Sequence, residues 1–99
     1  MPKLYGDNTV NLQGTNSQTN CQNECLKKFP GSNYLGLENG YICRCGTRAP
    51  QENSKVKDSL CEENQCPGDT NKWCGGTDYI RVFHVHTGNI SIVFSYSYI

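Results

Sequence analysis

Tyr34-Leu35-Gly36-Leu37-Glu38-Asn39-Gly40-Tyr41-Ile42-Cys43-Arg44-Cys45-Gly46 is the stretch on which the fold turns. Tyr34–Leu37 and Tyr41–Cys45 read as two strands joined through Glu38-Asn39-Gly40, a hairpin signal. Cys43 and Cys45 are two apart, so on a strand they share one face at a separation of about 6.8 Å. Upstream, Cys21-Gln22-Asn23-Glu24-Cys25-Leu26-Lys27-Lys28-Phe29 reads as a short helix. Ser17-Gln18-Thr19-Asn20 offers N-caps, Lys27 and Lys28 suit the C-terminal end, and Pro30-Gly31 stops it. Cys21 and Cys25, four apart, then share a helix face about 6 Å apart along the axis. The two rises nearly match. Parallel disulfides Cys21–Cys43 and Cys25–Cys45 would pin the helix flat on the sheet without bending either, each worth about 3 kcal/mol in the chain-entropy model. Cys66 and Cys74 bracket a short loop rich in Gly, Pro, Asp and Asn and pair naturally, which leaves Cys61 alone. Spacing by itself does not fix connectivity.

The rest of the composition points the same way. Ninety-nine residues make one domain, or one domain with a tail. Seven cysteines against 18% charged residues and few aliphatic ones describe a thin core that needs covalent help. Such thiols stay reduced in the cytosol, so the expected location is extracellular or secretory. Nine basic and nine acidic residues give zero formal charge, which excludes the one-signed field of a nucleic-acid or anionic-lipid binder. No apolar run is long enough for a membrane helix. Met1-Pro2-Lys3-Leu4 leads straight into polar sequence, the pattern expected either of a mature chain without its leader or of a recombinantly expressed piece, in which Met1 need not be native. A four-thiolate zinc site at Cys21, Cys25, Cys43 and Cys45 would need unusual intervening spacings, so disulfides are preferred and no metal or cofactor is expected.

Lys3–Asn20 reads as loop, with a short strand at Leu4-Tyr5. Residues 47–60 read as a mobile polar surface loop, and 61–76 as turn-rich. Tyr79–Val85 reads as a strand. Ile90–Ile99 alternates apolar residues with serine, carries no charge and asks for a partner strand. Three coverings are open: a hairpin through Thr87-Gly88-Asn89, a truncated neighbouring domain, or addition to another subunit's sheet. Asn89-Ile90-Ser91 is a glycosylation sequon.

Cys21-x-x-x-Cys25, the Tyr34–Gly46 stretch, Cys66-Pro67-Gly68-Asp69 and Cys74-Gly75-Gly76 together resemble the WSC domain over roughly residues 4 to 83. The resemblance implies an α+β, PAN/apple-like fold: a small disulfide-rich domain with a curled antiparallel sheet crossed by one short helix. To that a C-terminal β extension is added, giving 1–83 as the WSC-like domain and 84–99 as an extension or hairpin. The resemblance also implies the three pairings above, and a fourth between the family's first cysteine and the one matching Cys61. Here that first cysteine is replaced by Leu4, before Tyr5-Gly6-Asp7. Cys61 is therefore expected as a free thiol, buried as a small hydrophobe or, alternatively, bridged to another chain.

The function implied is non-catalytic binding of cell-wall or matrix polysaccharide, or of glycoprotein glycans. A sugar site needs an aromatic platform and a few placed polar groups. Trp73 is the first candidate, with Tyr41, Arg44, Asn71, Glu38 and Asp78 as polar or secondary contacts. Each has a plainer reading: Trp73 as a core plug, Tyr34 and Tyr41 as packing, Glu38 as a turn former, Arg44 as an exposed residue pointing away from the bridged cysteines. His84 and His86 share a strand face but lack a third ligand, so they read as surface histidines. No nucleophile triad, helix-borne metal motif or phosphate loop is present, so no enzyme activity is expected. The rival function is a self-associating subunit of an extracellular fibre or matrix, assembled through residues 88–99.

Overall fold

The computed structural model describes residues 8–48, 50–86 and 89–97, and of residues 86 and 89–94 the backbone alone. The sequence-favoured hairpin forms its centre. β2 (Tyr34–Glu38) and β3 (Ile42–Gly46) pair antiparallel, with Leu35 opposite Cys45 and Leu37 opposite Cys43. Asn39 and Gly40 in the connection both take positive φ, 53° and 82°, the conformation for which Asn-Gly is suited.

Helix α1 (Gln18–Lys28) lies on the face of Leu35, Leu37, Cys43 and Cys45. It starts before Cys21 because Ser17 is the cap, its Oγ accepting the Asn20 N–H at 3.0 Å. Disulfides Cys21–Cys43 and Cys25–Cys45 both hold their Cα atoms 5.5 Å apart. Equal separations mean that the helix axis runs alongside β3, as the matched rises require. The third bond joins Cys66 to Cys74, and Cys61 is a buried free thiol. The fold is the small disulfide-rich α+β domain that the cysteine spacing and the family resemblance imply.

Six strands form one sheet in the order β1-β3-β2-β7-β8-β4, antiparallel throughout. β1 (Asn8–Asn11) falls in sequence read as loop. Three of its four residues are exposed, so it shows no apolar alternation, and β3 supplies the pairing that makes it a strand. The expected strand at Leu4-Tyr5 lies outside the described residues. The polar excursion after β3 also departs from the loop expectation. It forms a 3-10 turn (Glu52–Ser54), edge strand β4 (Lys55–Val56) and a second 3-10 turn (Asp58–Cys61). Besides local bonds such as Ser54 Oγ to Gln51 O at 2.7 Å, it has tertiary anchors: Lys55 pairs with Tyr96, Val56 with Ser95, and Ser95 Oγ donates to Asp58 Oδ1 at 2.9 Å.

β7 (Tyr79–His86) and β8 (Asn89–Ser97) pair along their whole length, with a bulge between Val82 and Phe83. The long alternating run is thus taken up by its own chain. The turn residues Thr87 and Gly88, and Tyr98 and Ile99, lie outside the described residues. Two small cores flank the sheet. One holds Val10, Leu35, Leu37, Phe83 and the six bridged cysteines beneath α1. The other holds Ile80, Val82 and Tyr96 on the opposite face, with Tyr34 packed against them.

Candidate binding site

A small hairpin stands over the helix-side face. β5 (Gln65–Cys66) and β6 (Asp69–Trp73) were read as turn-rich sequence because all of β6 but Trp73 is exposed. Three attachments fix the hairpin. Cys66–Cys74 closes its base, with Cα atoms 4.8 Å apart. The Gly68 N–H donates to Asn16 O at 2.9 Å. Gly75, at φ +83°, rests on β2 so closely that a Cβ there would meet Leu37 O at 2.2 Å. The two glycine motifs quoted above are therefore docking points, one against the chain entering α1 and one against β2.

Between this hairpin and the start of α1 lies a cleft of about 130 Å³. Leu37 of β2, Phe83 of β7, Cys66 of β5, and Lys72 and Trp73 of β6 line it. Gln18, the first residue of α1, and Arg81 of β7 also line it. Trp73 is half-buried, and it presents an aromatic ring to this space rather than filling the core. Arg81 is opposite Leu37 in the sheet register. Its Nε is buried with no hydrogen-bond partner. Among the described residues, neither Lys72 nor Arg81 enters an ion pair, and no residue lining the cleft is acidic.

The remaining sequence candidates lie elsewhere. Strand alternation puts Glu38 and Arg44 on the face opposite Leu37 and Cys43. There they form an ion pair, Glu38 buried and Arg44 half-buried. Arg44 Nη1 also donates to Thr9 Oγ1 at 3.3 Å, so the expectation of a freely exposed arginine is not met. Tyr41 is exposed at the tip of the β2–β3 turn, its hydroxyl accepting from Asn39 Nδ2 at 3.5 Å. Asn71 is exposed on β6, its backbone N–H bonded to Asp69 Oδ1 at 3.3 Å. Asp78 is exposed in the bend before β7. Trp73 alone of the expected residues lines the cleft, joined by Gln18, Lys72 and Arg81, which the sequence reading had not singled out.

Other reactive groups are occupied. The sulfurs of Cys21, Cys25 and Cys43 lie within 4.8 Å of one another, but each is spent in a disulfide and offers no thiolate. His84 is half-buried, stacked on Tyr34 with ring centroids 4.6 Å apart. Burial pushes the Cys61 thiol pKa up, offset in part by a hydrogen bond with Ser95 and by the Arg81 charge. Asn89 opens β8 opposite His86, and its side chain lies outside the described residues.

A cross-linked sheet with one pinned helix, and a cleft beside a small hairpin, define a small disulfide-rich α+β domain. The family model of the WSC domain matches residues 3–76, and the chain belongs to that family. No curated protein matches the chain. No helix among the described residues is long and apolar enough to cross a membrane.

Proposed function

We propose that this chain is a non-catalytic extracellular carbohydrate-binding module, and that the Trp73 cleft is where it holds a sugar. The observation that carries the reading is the cleft itself: one aromatic ring among apolar residues, with Gln18, Lys72 and Arg81 also lining it. A pyranose ring presents an apolar C–H face to an aromatic ring and hydroxyls to flanking polar groups, the mixture that ligand sites provide. The cleft is small, which suits one sugar unit of a polymer, bound weakly and strengthened by repetition. Self-association through residues 88–99 is the weaker reading, because β8 pairs fully with β7 and, at Ser95 and Tyr96, with β4.

The test is retention of the oxidised, monodisperse domain on insoluble polysaccharides: chitin, β-glucan, mannan, cellulose and cross-linked pectate. Reduced, alkylated protein and Trp73→Ala serve as controls, the latter checked for folding by its thermal transition. Retention on at least one polymer, lost in both controls, is expected. Retention on none would overturn the reading, and retention indifferent to Trp73 would remove the cleft from it.

A further inference from the structure

We infer that the sugar this cleft takes is an acidic one, carrying a carboxylate or sulfate; the inference rests on the glycan reading above and narrows it. Two cationic side chains, Lys72 and Arg81, line a space with no acidic residue on its walls among the described residues. A neutral sugar would leave that charge uncompensated. Arg81 makes the stronger argument. It is a guanidinium placed in mid-strand, on the face that carries Leu35, Leu37 and Phe83. Its Nε is buried without a partner, and leaving a buried charged donor unmade is costly. Asp58, on the same side of the sheet, accepts from Ser95 Oγ and forms no ion pair with Arg81 among the described residues. The Arg81 Nε is itself out of reach of the cleft, so an incoming oxyanion would meet the outer nitrogens of the guanidinium, whose fork fits carboxylate and sulfate oxygens alike and would offset the charge that the strand leaves unpaired.

Two further features agree. Gln18 opens α1 and lines the cleft, and the first helical turn holds no acidic side chain to offset the positive end of the helix dipole. Lys72 is exposed at the rim, where a mobile ammonium can follow an anionic group along a chain. Trp73 stacks the ring while Arg81 and Lys72 hold its acidic substituent.

The experiment is affinity electrophoresis of the native domain in gels containing polygalacturonate, its carboxyl-reduced neutral counterpart, or dextran sulfate with dextran as its neutral partner. Retardation by at least one acidic polymer, tenfold or more stronger than by its neutral partner, is expected. Lys72→Gln and Arg81→Gln should each weaken it severalfold to tenfold, and raised salt should weaken it further. The polygalacturonate and dextran sulfate arms separate carboxylate from sulfate recognition. Arg81→Gln disturbs a half-buried position, so the exposed Lys72→Gln variant carries the test if the former fails to fold. Equal binding to acidic and neutral partners, with Trp73 still required, would overturn the acidic specificity and leave the glycan reading standing. Acidic retardation unchanged by Lys72→Gln in a folded variant and abolished by neutralising Lys27 and Lys28 would overturn it too, assigning the effect to the helix end. Retention on no polymer in either assay would remove both.

Discussion

Replacing Arg44 by Gln should destabilise the domain more than replacing Glu38 by Gln, although both changes break the same ion pair. Glu38's side chain is 7% exposed and Arg44's is 23% exposed. Removing Arg44 therefore strands a carboxylate that water cannot reach, a loss of about 3 kcal/mol at the low end for breaking a buried pair. Removing Glu38 leaves a guanidinium that still has Thr9 Oγ1 and can rehydrate by a small rotation, for about 1–2 kcal/mol. In the double variant the two amides can bond to each other, so the cycle should show coupling of about 1–2 kcal/mol. On a domain of this size, about 3 kcal/mol lowers Tm by roughly 10–20 °C. The assay is urea unfolding with disulfides intact, followed through the single tryptophan, Trp73. Equal costs, or a larger cost for Glu38→Gln, would refute the burial argument. The pair lies on the face opposite the cleft, so both variants, while folded, should keep whatever polymer retention the native domain has.

Two more outcomes follow from the cysteines. Cys61 is buried with its pKa raised, so the native thiol should resist alkylation and react only on unfolding. Because the folded-state pKa exceeds the unfolded one, that contribution to stability is full below about pH 8.5 and declines as pH rises through the folded value; rapid native alkylation would contradict the burial. The paired bonds Cys21–Cys43 and Cys25–Cys45 should be non-additive. Either one alone closes a loop worth about 3 kcal/mol, while the second, added to the first, closes only a short ring for about 2.5 kcal/mol. Removing one should thus cost about 2.5 kcal/mol and removing both about 5.5 kcal/mol, measured by denaturant midpoints of the Cys→Ala pairs.

What could be read from sequence was whatever a local pattern specifies. The Asn39-Gly40 turn and the capped helix follow from residues near one another, and the three disulfides from matched periodicities taken together with the family resemblance. β1, β4 and β6 do not, because each is short and mostly polar, and is a strand only where another part of the chain offers free backbone groups. Lys55-Val56 has no strand signature of its own; Ser95 and Tyr96 make it one.

The site was legible to the same degree and for the same reason. An aromatic residue in a polar loop flags itself, and Trp73 was found that way. Glu38 and Arg44 flagged themselves too, as charges in a conspicuous hairpin, but alternation sends both to the far face, where they satisfy each other. The cleft draws on α1, β2, β5, β6 and β7 at once, and no spacing rule joins Gln18 to Lys72 or Arg81. One signal was nevertheless available. Between Ile80 and Val82, Arg81 alternates onto the face of Phe83, so a charge must enter the apolar side of the sheet. A half-buried cation of that kind is either paired from within or open to something from outside, and no carboxylate among the described residues of this chain forms an ion pair with it.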